Sequence, residues 1–383
     1  MRWPRVAWTF LPPLAACALA RVVIVAVSTG PQFFSLDPIW WARWDSGHYT
    51  SVATEGYYWQ SCQARGTPII GDLCSNTPWY PGFPYLAKAA SWLGFPLGKS
   101  GVFIAIVCWV AAVVLLWIWF LRDQPRLHGL ACLTIAAFFP GVVYQQAFFP
   151  ISLLVLLSLV TIRLALTRRW WLAAVAAGLA GFVYPIAIVL VPALALWVVL
   201  VRTELAWRAR LVVAAGVGLV ASAGTLAVFA IHQVEVESWR ASITMQRHLG
   251  TKLINPLESF VTVVVNRDSL MQTLDVRLKT PIAMQTLLVA LLVLSITACT
   301  AWGWRRAHDI DRDDIALLVL FLGIWLLPLA SFIDTGLYRR EATLLPIVVL
   351  APRLPVWMSV PAAVACVGVA MRISPYFFNF ALN

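Results

Sequence analysis

Apolar runs of about 17 residues or more recur along most of this chain, and no other feature limits its fold so strongly. Soluble domains rarely tolerate such runs, whereas a helix needs about 20 mainly apolar residues to cross a bilayer. Hydrophobic residues make up 61% of the 383 positions and charged residues 12%, which leaves no segment polar for long enough to fold as a separate unit. The expected fold class is therefore an all-α polytopic membrane protein with a single domain over 1–383. Candidate spans lie at about 6–28, 100–121, 129–147, 150–166, 170–183, 185–201, 211–231, 281–304, 315–333, 341–352 and 355–372, eleven crossings in all. The first is too long for a signal peptide and lacks a small-residue cleavage site, so it is expected to remain as a helix.

A net charge of +11 is compatible with nucleic-acid binding, but the basic residues sit between apolar runs and form no basic arm. They report topology instead. Arg2, Arg5, Arg122, Arg126, Arg168, Arg169, Arg202, Arg208, Arg210, Arg305, Arg306, Arg312 and Arg353 all fall on one side, which the positive-inside trend makes cytoplasmic. The long loops 29–99 and 232–280 then face outward, carry most of the polar residues and are expected to contain short amphipathic helices. One short outer loop, DTGLYRRE, breaks the trend with Arg339 and Arg340. Of seven cysteines, five lie inside apolar spans. Cys62 and Cys74 share the first outer loop, where an oxidising compartment favours a disulfide.

The first loop contains RWDSGHYTSVATEGYYW at 43–59. Asp37-Pro38 is a helix start and Gly56 a stop, which predicts a helix over about 38–54 that Gly47 could kink. On such a helix Trp41, Trp44, Asp45, His48, Val52 and Glu55 share one face. The aromatics alone suit an interfacial belt better. Asp45 and His48 do not, because a helix resting on anionic lipid would present lysine and arginine.

The WDSGHY and EGYYW of this loop, followed by WYPGFPYL at 79–86, resemble the opening of the PIG-V type of glycosylphosphatidylinositol mannosyltransferase and its bacterial relatives. FFPGVVYQQAFFPISLLVLLSL (138–159), SWRASITMQRHLGTKLINPLESF (238–260) and LYRREATLLPIVV (337–349) are similar, in order, to later segments of that family. The resemblance implies a GT-C class fold and an inverting glycosyltransferase with a polyprenyl-phosphate sugar as donor. It points to mannose as the sugar, a glycolipid or glycan as acceptor, and a bacterial plasma membrane with the active site facing outward. One departure is FVYPIAI at 182–188, where relatives carry arginine and threonine beside the proline; any polar role there is expected to be missing.

That chemistry needs a base, cations for the leaving phosphate and a surface for sugar. Asp45 is the candidate general base. Arg339 and Arg340 are the first candidates for the donor phosphate, since guanidinium forks match phosphate oxygens; snorkelling to headgroups is the alternative. His48, Arg247, His248 and Lys252 stand second. Trp44, Glu55, Trp79, Tyr80, Tyr144 and Gln145 are candidates for sugar or acceptor contacts, with plain packing as the alternative for Tyr144 and Gln145 and a surface contact for Glu55. The loop acids Asp37, Asp45, Glu55 and Asp72 form no Asp-x-Asp pair, and Asp309 with Asp311 lies in a solvated loop on the opposite face, so no metal or other cofactor is required. The competing reading is a transporter or flippase for a lipid or small solute, although such proteins place their polar residues near mid-membrane.

Overall fold

A computed structural model describes residues 3–28, 30, 34–64, 73–265, 276–307, 310–332 and 336–379. Among these residues, six helices are long and apolar enough to cross a membrane: Trp8–Val27, Leu97–Leu121, Trp207–Glu235, Thr280–Ala307, Arg312–Ala330 and Val356–Phe378. Large apolar side chains such as Leu19, Leu219, Leu291 and Val364 are exposed on their outer faces, as a lipid solvent requires. The chain is a polytopic, all-α membrane protein.

In chain order, α1 (Trp3–Val27) leads into α2 (Pro38–Trp41) and α3 (Ser46–Glu55), then β1 (Trp59–Gln60) and β2 (Cys74–Ser75), which pair antiparallel. The bundle continues with α4 (Gly82–Ser91), α5 (Leu97–Leu116), α6 (Arg126–Ala137), α7 (Val142–Gln146), α8 (Ile151–Leu166), α9 (Trp170–Val183), α10 (Leu190–Val201) and α11 (Trp207–Glu235). After α12 (Ala241–His248), β3 (Lys252–Leu253) and α13 (Pro256–Val265) come α14 (Val276–Ala307) and α15 (Arg312–Ala330). Next, β4 (Ser331–Phe332) pairs with β3, and α16 (Leu337–Glu341) and α17 (Val356–Phe378) complete the fold.

Small residues set the closest helix contact. A Cβ on Gly224 of α11 would collide with the Gly178 carbonyl of α9, so only glycine lets the two backbones meet there. Two predicted spans take another form. The segment 129–147 is interrupted because α6 stops at Ala137, ahead of Pro140, which has no N–H to donate and disfavours helix in the residue before it. The segment 341–352 is a 3-10 helix, Ala342–Arg353, with Pro346 and Pro352 inside it. Its rise of about 2 Å per residue carries it about 24 Å, and residues 342–351 are all buried. Other helices therefore cover the backbone groups that its prolines leave free.

Candidate active site

The predicted helix over 38–54 is in fact two helices. Asp37 does cap the first, its Oδ1 accepting the Ile39 N–H at 3.0 Å, with Pro38 at the first helical position. After a single turn α2 ends, and α3 begins at Ser46 and stops at Gly56, whose φ is +79°. The break lies at 42–45 and not at Gly47. It holds Trp44 at φ +44°, a left-handed conformation that costs a non-glycine residue about 1 kcal/mol or more. The surroundings impose it. Ser46 Oγ accepts the Arg43 N–H at 3.0 Å and donates to the Phe148 carbonyl at 3.1 Å, while the Phe148 N–H donates to the Trp41 carbonyl at 3.0 Å.

This break dissolves the shared face expected from sequence. Trp41 and Val52 are buried in the core, and Glu55 is exposed at the last residue of α3. Trp44 remains half-buried against Phe377 and Tyr144, at ring separations of 5.4 and 6.4 Å. Asp45, at the N-cap position of α3, makes no side-chain capping bond. Its Oδ2 accepts instead from Arg339 Nη1 at 2.9 Å, joining residues 294 apart in sequence.

Arg339 is 14% exposed in this pair and Asp45 30%. The guanidinium is turned onto a carboxylate and does not snorkel. Beside it, Arg340 donates to the Ser331 carbonyl at 3.1 Å. Both forks lie over Gly336: a Cβ there would stand 3.5 Å from Arg339 Nη2 and 3.7 Å from Arg340 Nε. From below, Gln285 Nε2 donates to the Tyr338 carbonyl and to Glu341 Oε2, each at 2.7 Å, which fixes α16 on α14. Burial works against the charge on Arg339, but the Asp45 carboxylate together with the hydroxyls of Tyr338, Tyr144 and Tyr184 outweighs it and its pKa is raised. Arg340 is different: burial, reinforced by the Arg339 charge, lowers its pKa. An anion placed here would relieve both effects.

His48 lies flat on Trp79, with ring centroids 3.6 Å apart and planes 13° from parallel. The loop beneath is braced. Asn76, fully buried, donates to Ser51 Oγ at 3.0 Å and the Gly56 carbonyl at 2.9 Å, and accepts the Tyr58 N–H at 3.0 Å. Tyr57 donates its hydroxyl to the Trp79 carbonyl at 2.8 Å and its N–H to Glu235 Oε2 at 2.6 Å, docking α11 on the loop. The Cys62–Cys74 disulfide expected from sequence is formed, closing the β1–β2 hairpin.

Other sequence candidates fall elsewhere. Arg247 and His248 end α12 exposed, and Lys252 is exposed in β3; none has a hydrogen bond or ion pair with Asp45, Arg339 or Arg340 among the described residues. Tyr80 and Tyr144 are buried, the latter among the rings of Phe149, Tyr338 and Phe377. Gln145 is also fully buried and donates to the Ala342 carbonyl at 2.7 Å, tying α7 to the 3-10 helix. Asp72 and Asp309 lie outside the described residues. Asp311 is exposed, as expected, and also caps α15, its Oδ1 accepting the Asp313 N–H at 2.9 Å.

Three groups escaped the sequence reading. Tyr184, in the FVYPIAI segment expected to lack a polar role, lies within electrostatic reach of Arg340, Arg339 and Asp45. Its position just before Pro185, at a helix break, was the available signal. Arg21, within α1, donates to Gln146 Oε1 at 3.1 Å and stacks 3.8 Å over Trp41, a cation inside an apolar run that sequence alone could have flagged. Asn76 had no such signal. Compared with protein-family models and with curated proteins, the chain matches none.

Proposed function

We propose that this chain is a GT-C class membrane glycosyltransferase that moves a sugar, mannose by resemblance, from a polyprenyl-phosphate donor to a hydroxyl of a lipid-linked or glycan acceptor. The observation that carries this reading is the Asp45–Arg339 pair with Arg340 beside it: a carboxylate and two guanidiniums gathered from opposite ends of the sequence. In the proposed step the acceptor oxygen attacks the anomeric carbon as its proton passes to Asp45. The bond from that carbon to the phosphate oxygen breaks, and polyprenyl phosphate leaves with the electron pair, so the anomeric centre inverts. Cationic forks beside the base suit a departing phosphate. His48, Trp79 and Trp44 offer ring surface to sugar.

In this reading all eleven apolar segments cross the membrane, including the shorter helices and the buried 3-10 segment. The basic end faces the cytoplasm of a bacterium, and Asp45 faces outward. Transport is the weaker reading, because Asp45, Arg339 and Arg340 gather in one cluster and not along a path through the bundle. The test is incubation of the purified protein with several polyprenyl-phosphate sugars and a membrane lipid extract, with labelled products identified by mass. Sugar transfer from one donor is expected; no transfer from any donor, together with solute flux in proteoliposomes, would reverse the ranking.

A further inference from the structure

Arg247, His248 and Lys252 stay apart from the Asp45 cluster, and their surroundings give them another use. From Ser238 to Leu257 the chain has three fixed cations, Arg240, Arg247 and Lys252, and no acid; Glu237 and Glu258 bound the stretch. Arg240 lies 4.7 Å over the Trp239 ring, and none of the three cations has an ion pair among the described residues.

The apolar residues of the same stretch are turned outward with them. On α12, Ala241, Ser242 and Met245 are buried, which leaves Arg240, Ile243 and Arg247 along the opposite side at three- and four-residue spacing. Trp239 and Leu249 are exposed at its ends, and beyond it Leu253 and Leu257 are 87% and 66% exposed. Five large apolar side chains in one short stretch mark an interaction surface. A soluble polyanion would cover the cations and leave those side chains in water, whereas a lipid surface covers both.

The bilayer boundary lies at the same level. β3 pairs with β4 directly after the membrane-length helix α15, and the Ile254 N–H donates to the Ala330 carbonyl at 3.0 Å. Ser259 Oγ donates to the Leu329 carbonyl. The stretch is thus pinned to the last turn of a spanning helix, where acyl chains give way to headgroups. Leu326, one turn before Ala330, is exposed like the lipid-facing residues of the other spans, so the apolar surface runs on from α15 into the stretch.

We infer that residues 238–257 dock on the surface of the bilayer, with the exposed tryptophan, isoleucine and leucines facing the acyl boundary and Arg240, Arg247 and Lys252 meeting the phosphates of anionic headgroups. In such a segment buried apolar area and attraction to anionic lipid add together. The inference is independent of the glycosyl-transfer reading.

The experiment uses the full chain carrying Leu253→Cys labelled with bimane, reconstituted into nanodiscs of phosphatidylcholine or of an equal mixture with phosphatidylglycerol. Quenching by aqueous acrylamide should be at least about twofold weaker in the anionic bilayer, and quenching by a lipid brominated near the headgroup end of its chains correspondingly stronger. Salt at about 1 M, which shortens the Debye length to about 3 Å, should restore the phosphatidylcholine value. Arg240→Gln, Arg247→Gln and Lys252→Gln together should abolish the difference between the bilayers, and each alone should remove part of it. Equal quenching in the two bilayers, or a difference that survives in the single and triple variants, would overturn the inference. Protection of the dye in phosphatidylcholine nanodiscs by soluble glycerol phosphate, equal to that given by phosphatidylglycerol, would overturn the assignment to a lipid surface.

Discussion

The bundle has arginine–carboxylate clusters at both ends, and they are built differently. α11 separates them: Glu235 docks on Tyr57 near Asp45, and at the other end Arg210 donates to the carbonyls of Thr203 and Leu205 at 2.9 and 2.8 Å. A helix of 29 residues spans about 43 Å. At the Arg168 end three arginines each meet an acid, while Arg210 and Arg312 donate to backbone carbonyls. Arg168 grips Asp313 through two contacts of 2.6 and 2.8 Å, Trp197 adds an indole N–H at 2.7 Å, Arg353 meets Asp314 at 2.8 Å, and Arg202 meets Glu204 at 2.7 Å. These arginines are largely open to solvent, with side chains 31–50% exposed. The Asp45 end differs in its exposure. Its arginines are more enclosed and, among the described residues, outnumber their carboxylate partner. Wet pairs lock loops together at little gain, whereas charges in an enclosed cluster interact strongly with one another and with any ion that enters.

The largest break in this contrast should come from Asp45→Asn. Removal of a general base is expected to lower sugar transfer by at least about 100-fold while the protein stays folded, as measured by product formation and size-exclusion profile. Near wild-type transfer would remove Asp45 from the mechanism. Next comes the brace under His48 and Trp79. Replacing Cys62 and Cys74 with serine opens a loop with a separation of 12 residues and should cost about 3 kcal/mol, read as a lower melting temperature.

Effects at the opposite end should be smaller and confined to stability. Asp313→Asn removes a partner from Arg168, yet that arginine is 44% exposed, so solvent screening limits the loss to about 1 kcal/mol. Transfer should stay within about twofold; a larger fall would mean that the two ends are coupled. Arg202→Ala is the mildest case, since Glu204 is 60% exposed, and its melting temperature should stay that of the unaltered chain.

Particular residues show why some of this was legible in sequence and some was not. Asp37-Pro38 and Gly56 bounded their helices as local chemistry predicts, because a cap acts within two or three residues of itself. The break at Trp44 was unreadable: it is held by Ser46 and Phe148, and the carbonyl of Phe148 reaches Ser46 across 102 positions. Arg339 and Arg340 stood out through their violation of the charge trend, which marked them as special without saying what they touch. Tyr184 was discounted because the segment lacks the arginine and threonine that relatives carry beside the proline, although Arg340, Arg339 and Asp45 all act on it electrostatically.

Sequence by itself determined that this chain lives in a membrane, that Asp37-Pro38 starts a helix, which end is basic and which loop carries acid, imidazole and indole together. Those properties follow from composition and from interactions a few residues long. Only the tertiary structure decided that Asp45 meets Arg339, that Arg340 is left to a backbone carbonyl, and that Arg247, His248 and Lys252 stay exposed. The physical reason is that an ion pair 294 residues apart is set by how α3 and α16 are held by their own neighbours, and neither helix encodes the position of the other.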